Sequence, residues 1–245
     1  MTSADNAVAV VLGATGAIGS CLLETLHHHQ YQVIGVARTS DRLQEITAQL
    51  DPDGTTATPL AIDLRDVSAA ETIRTHSIQV FGKRPQVIVQ AGGVFSLGTL
   101  VDTDPQLASQ IMETNALAAH RLIAELMSDP LILHGHVVII NSTAGLAFNP
   151  SAAVYSLSQI LSRSLTDALR DKLNPQDIRV TSIFPGRTLG PLQAKLLASE
   201  GRPVLEDHLL APSDVAQAMM TALKTSDRAE ITEITLRPMR PYPST

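Results

Sequence analysis

The amino-acid sequence predicts an α/β fold in which helices cover both faces of a doubly wound, mostly parallel sheet of seven strands. Short apolar runs and helical patterns alternate along the whole chain, which is the order that builds parallel strands joined by crossover helices. The apolar runs are continuous, as expected for strands buried on both faces. Residues 1–245 contain neither an internal repeat nor a linker rich in proline and glycine, so we expect a single domain.

Seven segments have the length and apolar content of strands. They are Ala7–Leu12, Gln32–Ala37, Ala57–Ile62, Gln86–Ala91, His136–Asn141, Arg179–Phe184 and Glu230–Leu236. The first six are short apolar runs, and apolar residues alternate in the last. Each is followed by helical periodicity or by turn residues, so the pattern predicts one strand per run.

Six segments between these strands have helical patterns. They are Ala17–His29, Asp41–Leu50, Val67–Phe81, Pro105–Met127, Ala152–Leu173 and Asp214–Leu223. The two longest carry apolar residues, mostly leucines, at helical spacing, and Asp51-Pro52-Asp53-Gly54 ends the second helix by turn chemistry. Residues 187–211 are the least regular stretch, and we expect them to form a substrate lid.

The composition indicates a globular protein that binds neither nucleic acid nor a membrane. The chain is 44% hydrophobic and 17% charged, with a net charge of −6, and it lacks the basic clusters that phosphate backbones or anionic lipids require. Its apolar runs are shorter than the roughly 18 residues of a membrane span. The single cysteine, Cys21, cannot close a disulfide within the chain, so we expect a reducing compartment, the cytoplasm.

A glycine-rich turn lies between the first predicted strand and the first predicted helix, with the sequence Gly13-Ala14-Thr15-Gly16-Ala17-Ile18-Gly19. Gly13 suits the tight turn, whereas Gly16 and Gly19 let backbone approach a phosphate and let the helix pack against the strand. The helix N-terminus then presents free N–H groups to a pyrophosphate. This context predicts a Rossmann-like dinucleotide site. Its expected contacts are Gly13, Thr15, Gly16, Ala17, Ile18 and Gly19.

The end of the second strand predicts which dinucleotide binds. An acidic residue at this position would accept hydrogen bonds from a ribose diol and favour NAD. This chain instead has Arg38 and Thr39. The guanidinium of Arg38 can pair with a 2′-phosphate, and the Thr39 hydroxyl can donate to it, so the sequence predicts NADP over NAD.

Several short motifs follow the glycine turn in order along the chain. They are Asp63-Leu64, Ala91-Gly92-Gly93, Asn115, Ser142, Tyr155 and Pro185-Gly186-Arg187-Thr188. Through the order and spacing of these motifs the chain resembles a short-chain dehydrogenase/reductase of the single-domain type over nearly its whole length. This resemblance implies an enzyme that interconverts a carbonyl and an alcohol with a nicotinamide cofactor.

The resemblance also implies roles for individual residues. Asp63 and Leu64 would hold the adenine, and Ala91 and Gly92 would line a cofactor ribose. The nicotinamide would be contacted by Pro185, Gly186 and Thr188. Tyr155 would be the acid/base, Ser142 would hydrogen-bond the substrate oxygen, and Asn115 would help a water-linked proton relay.

Position 159 departs from the family pattern. The family has a lysine four residues after the tyrosine, on the same helix face, and this lysine lowers the pKa of the tyrosine. Gln159 can still hydrogen-bond the nicotinamide ribose but supplies no charge, a loss that commonly costs about 10²–10³ in rate. Arg163 lies one turn further on, and we expect it to be too far from the tyrosine oxygen. Asn141 stands where the family often has a second serine.

The sequence therefore leaves two functions open. The first is an NADP-dependent oxidoreductase, slowed by the glutamine at position 159 and acting as a homodimer or homotetramer. The alternative is a family member that binds NADP(H) without turnover, as a sensor or as an inactive partner subunit. Phe95 and Phe148 favour a small, largely apolar substrate, whereas Arg187, Lys195 and Arg202 leave an acidic one open.

Two other kinds of site are disfavoured. Methyltransferases also have a glycine turn after their first strand, but they usually hold the ribose hydroxyls with an acidic residue where this chain has Arg38. The run His27 to His29 does not predict a metal site, because consecutive side chains on a helix point in different directions.

Overall fold

A computed structural model describes residues 6–132 and 134–243, and in it all seven predicted strands pair into one sheet. The strands are β1 Val8–Leu12, β2 Gln32–Ala37, β3 Ala57–Ala61, β4 Pro85–Gln90, β5 His136–Ile140, β6 Arg179–Pro185 and β7 Glu233–Leu236. Their order is β3-β2-β1-β4-β5-β6-β7, and every pairing is parallel. The strand order reverses between β1 and β4, and such a switch point is where open parallel sheets bind ligands.

Helices lie between the strands and cover both faces of the sheet. They are α1 Ala17–His28, α2 Asp41–Leu50, α3 Ala69–Phe81, α4 Pro105–Met112, α5 Ala118–Leu126, α6 Ala153–Leu173, α7 Pro191–Ser199 and α8 Pro212–Leu223. A π-helical segment, Glu113–Leu117, joins α4 to α5. No helix in the described part of the chain is both long enough and apolar enough to cross a membrane.

Two apolar layers hold the helices to the sheet. Val8, Val10 and Leu12 of β1 point into a layer shared with α3, α5 and α6. The alternate residues Ala9 and Val11 point into a second layer shared with α1, α2 and α8. Because successive side chains of a strand point to opposite faces, a continuously apolar strand is the sequence signature of this double cover, and the predicted fold class is confirmed.

Most element boundaries lie within two residues of the predicted ones, and larger differences occur in three places. The expected helix Pro105–Met127 is interrupted by the π-helical segment. The expected strand Glu230–Leu236 begins only at Glu233. Residues 187–211 were expected to be irregular but contain α7, which begins directly after Gly190 with Pro191 at its first position. Proline is favoured there because it needs no N–H partner.

Candidate active site and cofactor cleft

A cleft of about 1780 Å³ opens at the carboxyl ends of the central strands. It brings together residues that the sequence predicted separately. The predicted residues that line it are Thr15, Gly16, Ala17, Ile18, Gly19, Ala91, Ser142, Tyr155, Pro185, Gly186 and Thr188. The glycine turn, the serine, the tyrosine and the segment after β6 therefore face one common space.

The remaining predicted residues lie behind or beside this lining. Gly13 and Gly92 form the floor under the turn, where they contact each other. Asn115 and Gln159 are buried behind the cleft, with 4% and 6% of their surface exposed. The others belong to the outer end of the site, beyond β2 and β3. They are Arg38, Thr39, Asp63 and Leu64.

Packing requires glycine at two of the three glycine positions of the turn. At the third position, packing would allow a side chain. Gly13 has φ +85°, and a Cβ there would lie 2.4 Å from Gly92 Cα. A Cβ on Gly19 would lie 2.1 Å from the Gly13 oxygen, so the helix could not approach the strand. A Cβ on Gly16 would meet only the Gly13 oxygen, at 3.6 Å. Since Gly16 lines the cleft, its missing side chain leaves room for a ligand.

The start of α1 fits a phosphate group. Its N-cap is Gly16, which has no side chain to bond the first N–H groups, and its first turn carries no acidic residue. The first backbone N–H groups of a helix have no partner within the helix. Ala17, Ile18 and Gly19 therefore bring free donors and the positive end of the helix dipole to the wall of the cleft.

The outer end of the site is rich in charge. Asp63 hydrogen-bonds the Arg65 side chain, and this contact holds the pKa of the Asp63 carboxyl at about 2. The charge of Arg38 acts on Asp63 in the same direction, so Arg38 lies within electrostatic range of Asp63. Arg38 and Thr39 are both exposed. Leu64 is buried in the apolar layer, so only its backbone faces outward.

Tyr155 stands at the start of α6 and lines the cleft. Its ring meets the ring of Phe95 edge to face, with the ring centres 4.9 Å apart. Burial raises the pKa of the Tyr155 phenol above its ordinary value, and hydrogen bonding to Ser142 opposes part of this shift. The phenol therefore keeps its proton at neutral pH and can donate it to an oxygen in the cleft.

Ser142 is positioned by a chain of hydrogen bonds that also reaches α6. The Ser142 N–H donates to Asn141 Oδ1 at 2.7 Å, and Asn141 Nδ2 donates to the Gln159 carbonyl oxygen at 3.2 Å. Ser142 Oγ accepts the N–H of Ala144 at 3.2 Å, which leaves the hydroxyl proton to donate into the cleft. Asn141 thus fixes Ser142 relative to the helix that carries Tyr155.

Asn115 lies in the π-helical segment, and its side chain is fully engaged by the protein. Its Oδ1 accepts the Val94 N–H at 2.7 Å, and its Nδ2 donates to the Val94 oxygen at 2.8 Å. The same amide donates to Ser158 Oγ at 3.0 Å. Asn115 therefore ties the loop after β4, which carries Phe95, to the helix that carries Tyr155.

The side chain of Gln159 follows Tyr155 by one turn. It is buried and makes no hydrogen bond within the described residues. Arg163 does not supply the missing charge. Its guanidinium is held by Glu233 of β7, at 2.9 and 3.2 Å.

The structure adds cleft residues that the sequence did not single out. Arg42 of α2 lines the cleft, and its Nε donates to the Thr15 oxygen at 3.4 Å. The C-terminal segment 237–242 also lines it, and the Tyr242 hydroxyl accepts the Leu205 N–H at 3.1 Å. Arg42 could have been predicted from the sequence, because it lies four residues after Arg38, at the start of α2. No feature of the sequence indicated that the C-terminal segment 237–242 lines the cleft.

The fold and the cleft define a class, the nucleotide-binding α/β proteins with a glycine turn at the sheet switch point and a serine–tyrosine pair beside it. Residues 7–201 match the family model for short chain dehydrogenases, and the chain belongs to that family. It is 27% identical over 242 residues to an uncharacterized oxidoreductase of Staphylococcus aureus strain N315, covering 98% of this chain and 100% of the relative.

Solved structures share the fold at low sequence identity. One is the actinorhodin polyketide ketoreductase with NADPH, with a TM-score of 0.85 at 23% identity, covering 97% of this chain and 98% of the other. Another is the alcohol dehydrogenase from the archaeon Thermococcus sibiricus complexed with 5-hydroxy-NADP, with a TM-score of 0.84 at 20% identity, covering 98% and 100%. The fold expected from the sequence is confirmed by these likenesses.

Proposed function

We propose that this protein is an NADP-dependent oxidoreductase that interconverts a carbonyl and an alcohol on a small, largely apolar substrate, and that it works best as a reductase. One observation carries the proposal: Tyr155 and Ser142 line the same cleft as the glycine turn. A proton donor and a second hydroxyl then stand where a carbonyl would meet a dinucleotide. Family membership over residues 7–201 supports the same activity.

The residues present fit NADP. The free N–H groups of Ala17, Ile18 and Gly19 would hold the pyrophosphate. Arg38 and Thr39 would hold the 2′-phosphate. Both solved structures compared above contain an NADP-type cofactor, which supports this choice over NAD. When bound, the reduced cofactor supplies the hydride.

Several further residues would complete the cofactor site. The adenine would lie by Asp63 and the backbone of Leu64. Ala91, Gly92 and the Gln159 amide would face riboses, and the nicotinamide would face residues after β6. Those residues are Pro185, Gly186 and Thr188.

The protein's own chemistry is proton donation. The Tyr155 phenol gives its proton to the carbonyl oxygen as hydride reaches the carbon, and the Ser142 hydroxyl donates to the same oxygen. Asn115 positions the loop that carries Phe95 against the Tyr155 ring. In this proposal its main chain, in the π-helical segment, serves the proton relay, because its side-chain atoms are engaged by Val94 and Ser158.

The neutral Gln159 leaves Tyr155 in its protonated form. The pKa of Tyr155 is raised by burial, and neither Gln159 nor the paired Arg163 offers positive charge to lower it. A protonated phenol is the form that reduction needs, whereas oxidation needs the phenolate. The missing charge would lower the rate by about 10²–10³, or roughly 3–4 kcal/mol in the barrier. Reduction is therefore slow, and oxidation is slower.

The alternative function is binding of NADP(H) without turnover, as a sensor or as an inactive partner subunit. The substitution at position 159 favours it, because the glycine turn does not depend on that residue. Both functions are tested by measuring NADPH binding by calorimetry and then hydride transfer to a panel of ketones and aldehydes, for the natural protein and for Gln159→Lys. Turnover by the natural protein supports the enzyme. Binding without turnover, with turnover gained in the variant, would select the alternative.

Further parts of the proposal concern organisation. We propose one domain, with residues 187–211 as a lid that includes α7. We also propose a homodimer or homotetramer. Leu117, Leu157 and Ile160 lie on the two long helical segments and expose 46%, 37% and 37% of their surface, which supports this assembly. The single free cysteine, Cys21, supports a cytoplasmic location.

A further inference from the structure

We propose that Arg187 and Gln193 form a carboxylate-binding subsite, so that the substrate is an apolar oxo acid rather than a neutral ketone. The inference rests on the proposed function and names its substrate class. Two buried donor atoms in the described part of the chain, Arg187 Nη1 and Gln193 Nε2, have no hydrogen-bond partner and belong to residues that line the cleft. Buried N–H groups in proteins nearly always have an acceptor, and a ligand in the cleft would supply it.

Arg187 stands on the reacting side of the cleft. Ile140, the last residue of β5, lies opposite Ile183 of β6, and the Asn141 N–H donates to the Ile183 oxygen at 2.8 Å. Ser142 follows the end of β5 by two residues and Arg187 follows the end of β6 by two residues, so both lie at the same edge of the sheet. Adjacent parallel strands are about 4.8 Å apart, so an anion on Arg187 and a carbonyl oxygen on Ser142 are within the reach of one small molecule.

The Arg187 side chain is held in place, and that of Gln193 is buried. Arg187 Nη2 donates to Glu200 Oε1 at 2.7 Å, and the guanidinium lies over the Tyr242 ring, 5.7 Å from its centre. Gln193 is in the first turn of α7, with 8% of its surface exposed. The contact with Glu200 leaves other N–H groups of Arg187 free. A guanidinium fixed on one side by a carboxylate offers its remaining donors in a set direction.

The surroundings fit a carboxylate on an apolar body. Phe95, Phe148 and Leu196 line the same cleft and suit an aromatic or aliphatic group. Arg237 and Arg240 also line it, and Arg240 pairs with Asp207 at 3.0 Å. Glu200 is the acidic residue of the cleft lining. Its carboxylate pairs with Arg187 and also lies 3.8 Å from Nη1 of Arg202. The cationic side chains of this end of the cleft therefore outnumber the acidic ones.

The test uses binding, so that it does not depend on turnover. The probes are 4-phenyl-2-oxobutanoate, 4-oxo-4-phenylbutanoate and 5-oxo-5-phenylpentanoate, each with its methyl ester. They are titrated by calorimetry into the NADP-saturated natural protein and three variants. Arg187→Met and Gln193→Leu remove the two donors. Lys195→Met is the matched control, because Lys195 is an exposed cation of the same helix outside the cleft lining.

We expect at least one acid to bind ten or more times tighter than its ester. Arg187→Met should abolish this preference, Gln193→Leu should reduce it severalfold, and Lys195→Met should retain it. NADPH affinity should stay within twofold in all three variants. The proposal is overturned if no acid is preferred, if no probe binds, or if the preference survives Arg187→Met. It is also overturned if Arg187→Met weakens NADPH more than tenfold, since the donors would then serve the cofactor. Acid binding without hydride transfer would contradict the proposed function alone.

Discussion

The side-chain amide of Asn141 donates to the main-chain oxygen of Gln159 at 3.2 Å while its Oδ1 accepts the N–H of Ser142. A Cβ on Gly145 would lie 2.7 Å from Asn141 Oδ1, so the turn after β5 is packed closely onto this amide. Asn141, which is 6% exposed, therefore joins the segment after β5 that carries Ser142 to the helix that carries Tyr155.

Replacing Asn141 with alanine should separate these two elements. We expect the free energy of unfolding to fall by about 1–3 kcal/mol, because buried hydrogen-bonding groups lose their partner. We also expect kcat to fall about tenfold while NADPH still binds, since the glycine turn does not depend on the Asn141 side chain. Steady-state kinetics and calorimetry check this. An unchanged kcat in a destabilised variant would show that the bridge serves stability alone.

The pH dependence of the two reaction directions should expose the role of Gln159. Because the pKa of Tyr155 is raised above its ordinary value of about 10, the protonated donor persists through neutral and mildly alkaline pH. The reduction rate should therefore be flat from about pH 6 to 9, and oxidation should rise with pH throughout.

In Gln159→Lys the added charge should stabilise the phenolate and lower the pKa of Tyr155. Both directions should become faster near neutral pH, the alkaline fall in reduction should begin at a lower pH, and the alkaline rise in oxidation should level off at a lower pH. Initial rates in both directions over this range provide the measurement. A natural protein whose reduction rate already falls between pH 7 and 8 would refute this account of the tyrosine.

Adding one methyl group to Gly19 or to Gly16 should distinguish a role in folding from a role in cofactor binding. Gly19→Ala places a Cβ 2.1 Å from the Gly13 oxygen and should lower the free energy of unfolding by about 1–3 kcal/mol. Gly16→Ala meets nothing closer than 3.6 Å and should keep its stability while NADPH binding weakens at least tenfold. Thermal unfolding and calorimetry of the pair decide the matter. Equal stability losses in both variants would contradict the assignment of Gly16 to the ligand.

Arg38 should select NADP over NAD. Removing a charge-assisted contact to a phosphate costs about 1.5–3 kcal/mol, so Arg38→Ala should weaken NADPH binding about 10- to 100-fold and leave NADH binding within twofold. Arg228→Ala removes an exposed cation outside the cleft lining and serves as the control. An equal loss for both cofactors would mean that Arg38 does not reach the 2′-phosphate.

Much of the fold could be predicted because its determinants are local. Continuous apolar runs identified the strands, and the run of glycines fixed the place of the cofactor turn. Helix α7 was missed because residues 187–211 contain Gly190-Pro191 and lack regular periodicity, although proline at a first helical position also begins helices. The π-helical segment at Asn115 depends on bonds to Val94 and Ser158, which are tertiary contacts that periodicity does not reveal.

The candidate site was predicted less completely, for a similar reason. Ser142 and Tyr155 follow recognisable spacing, but the partners that position them do not. Glu233 holds Arg163 from 70 residues away, and the C-terminal segment at Tyr242 packs against Leu205 from 37 residues away. Contacts at such separations are set by the strand order rather than by any local motif.

Transfer of deuterium from deuterated NADPH to a ketone panel, by the natural protein and by Tyr155→Phe, tests the central claim most directly. We expect the natural protein to form deuterated alcohol from one face of the cofactor. Tyr155→Phe should bind NADPH with similar affinity and lose at least 100-fold in rate, because the proton donor is gone. Tight NADPH binding with no deuterium transfer by the natural protein, or equal transfer by Tyr155→Phe, would contradict the assignment of Tyr155 as the proton donor of a working reductase.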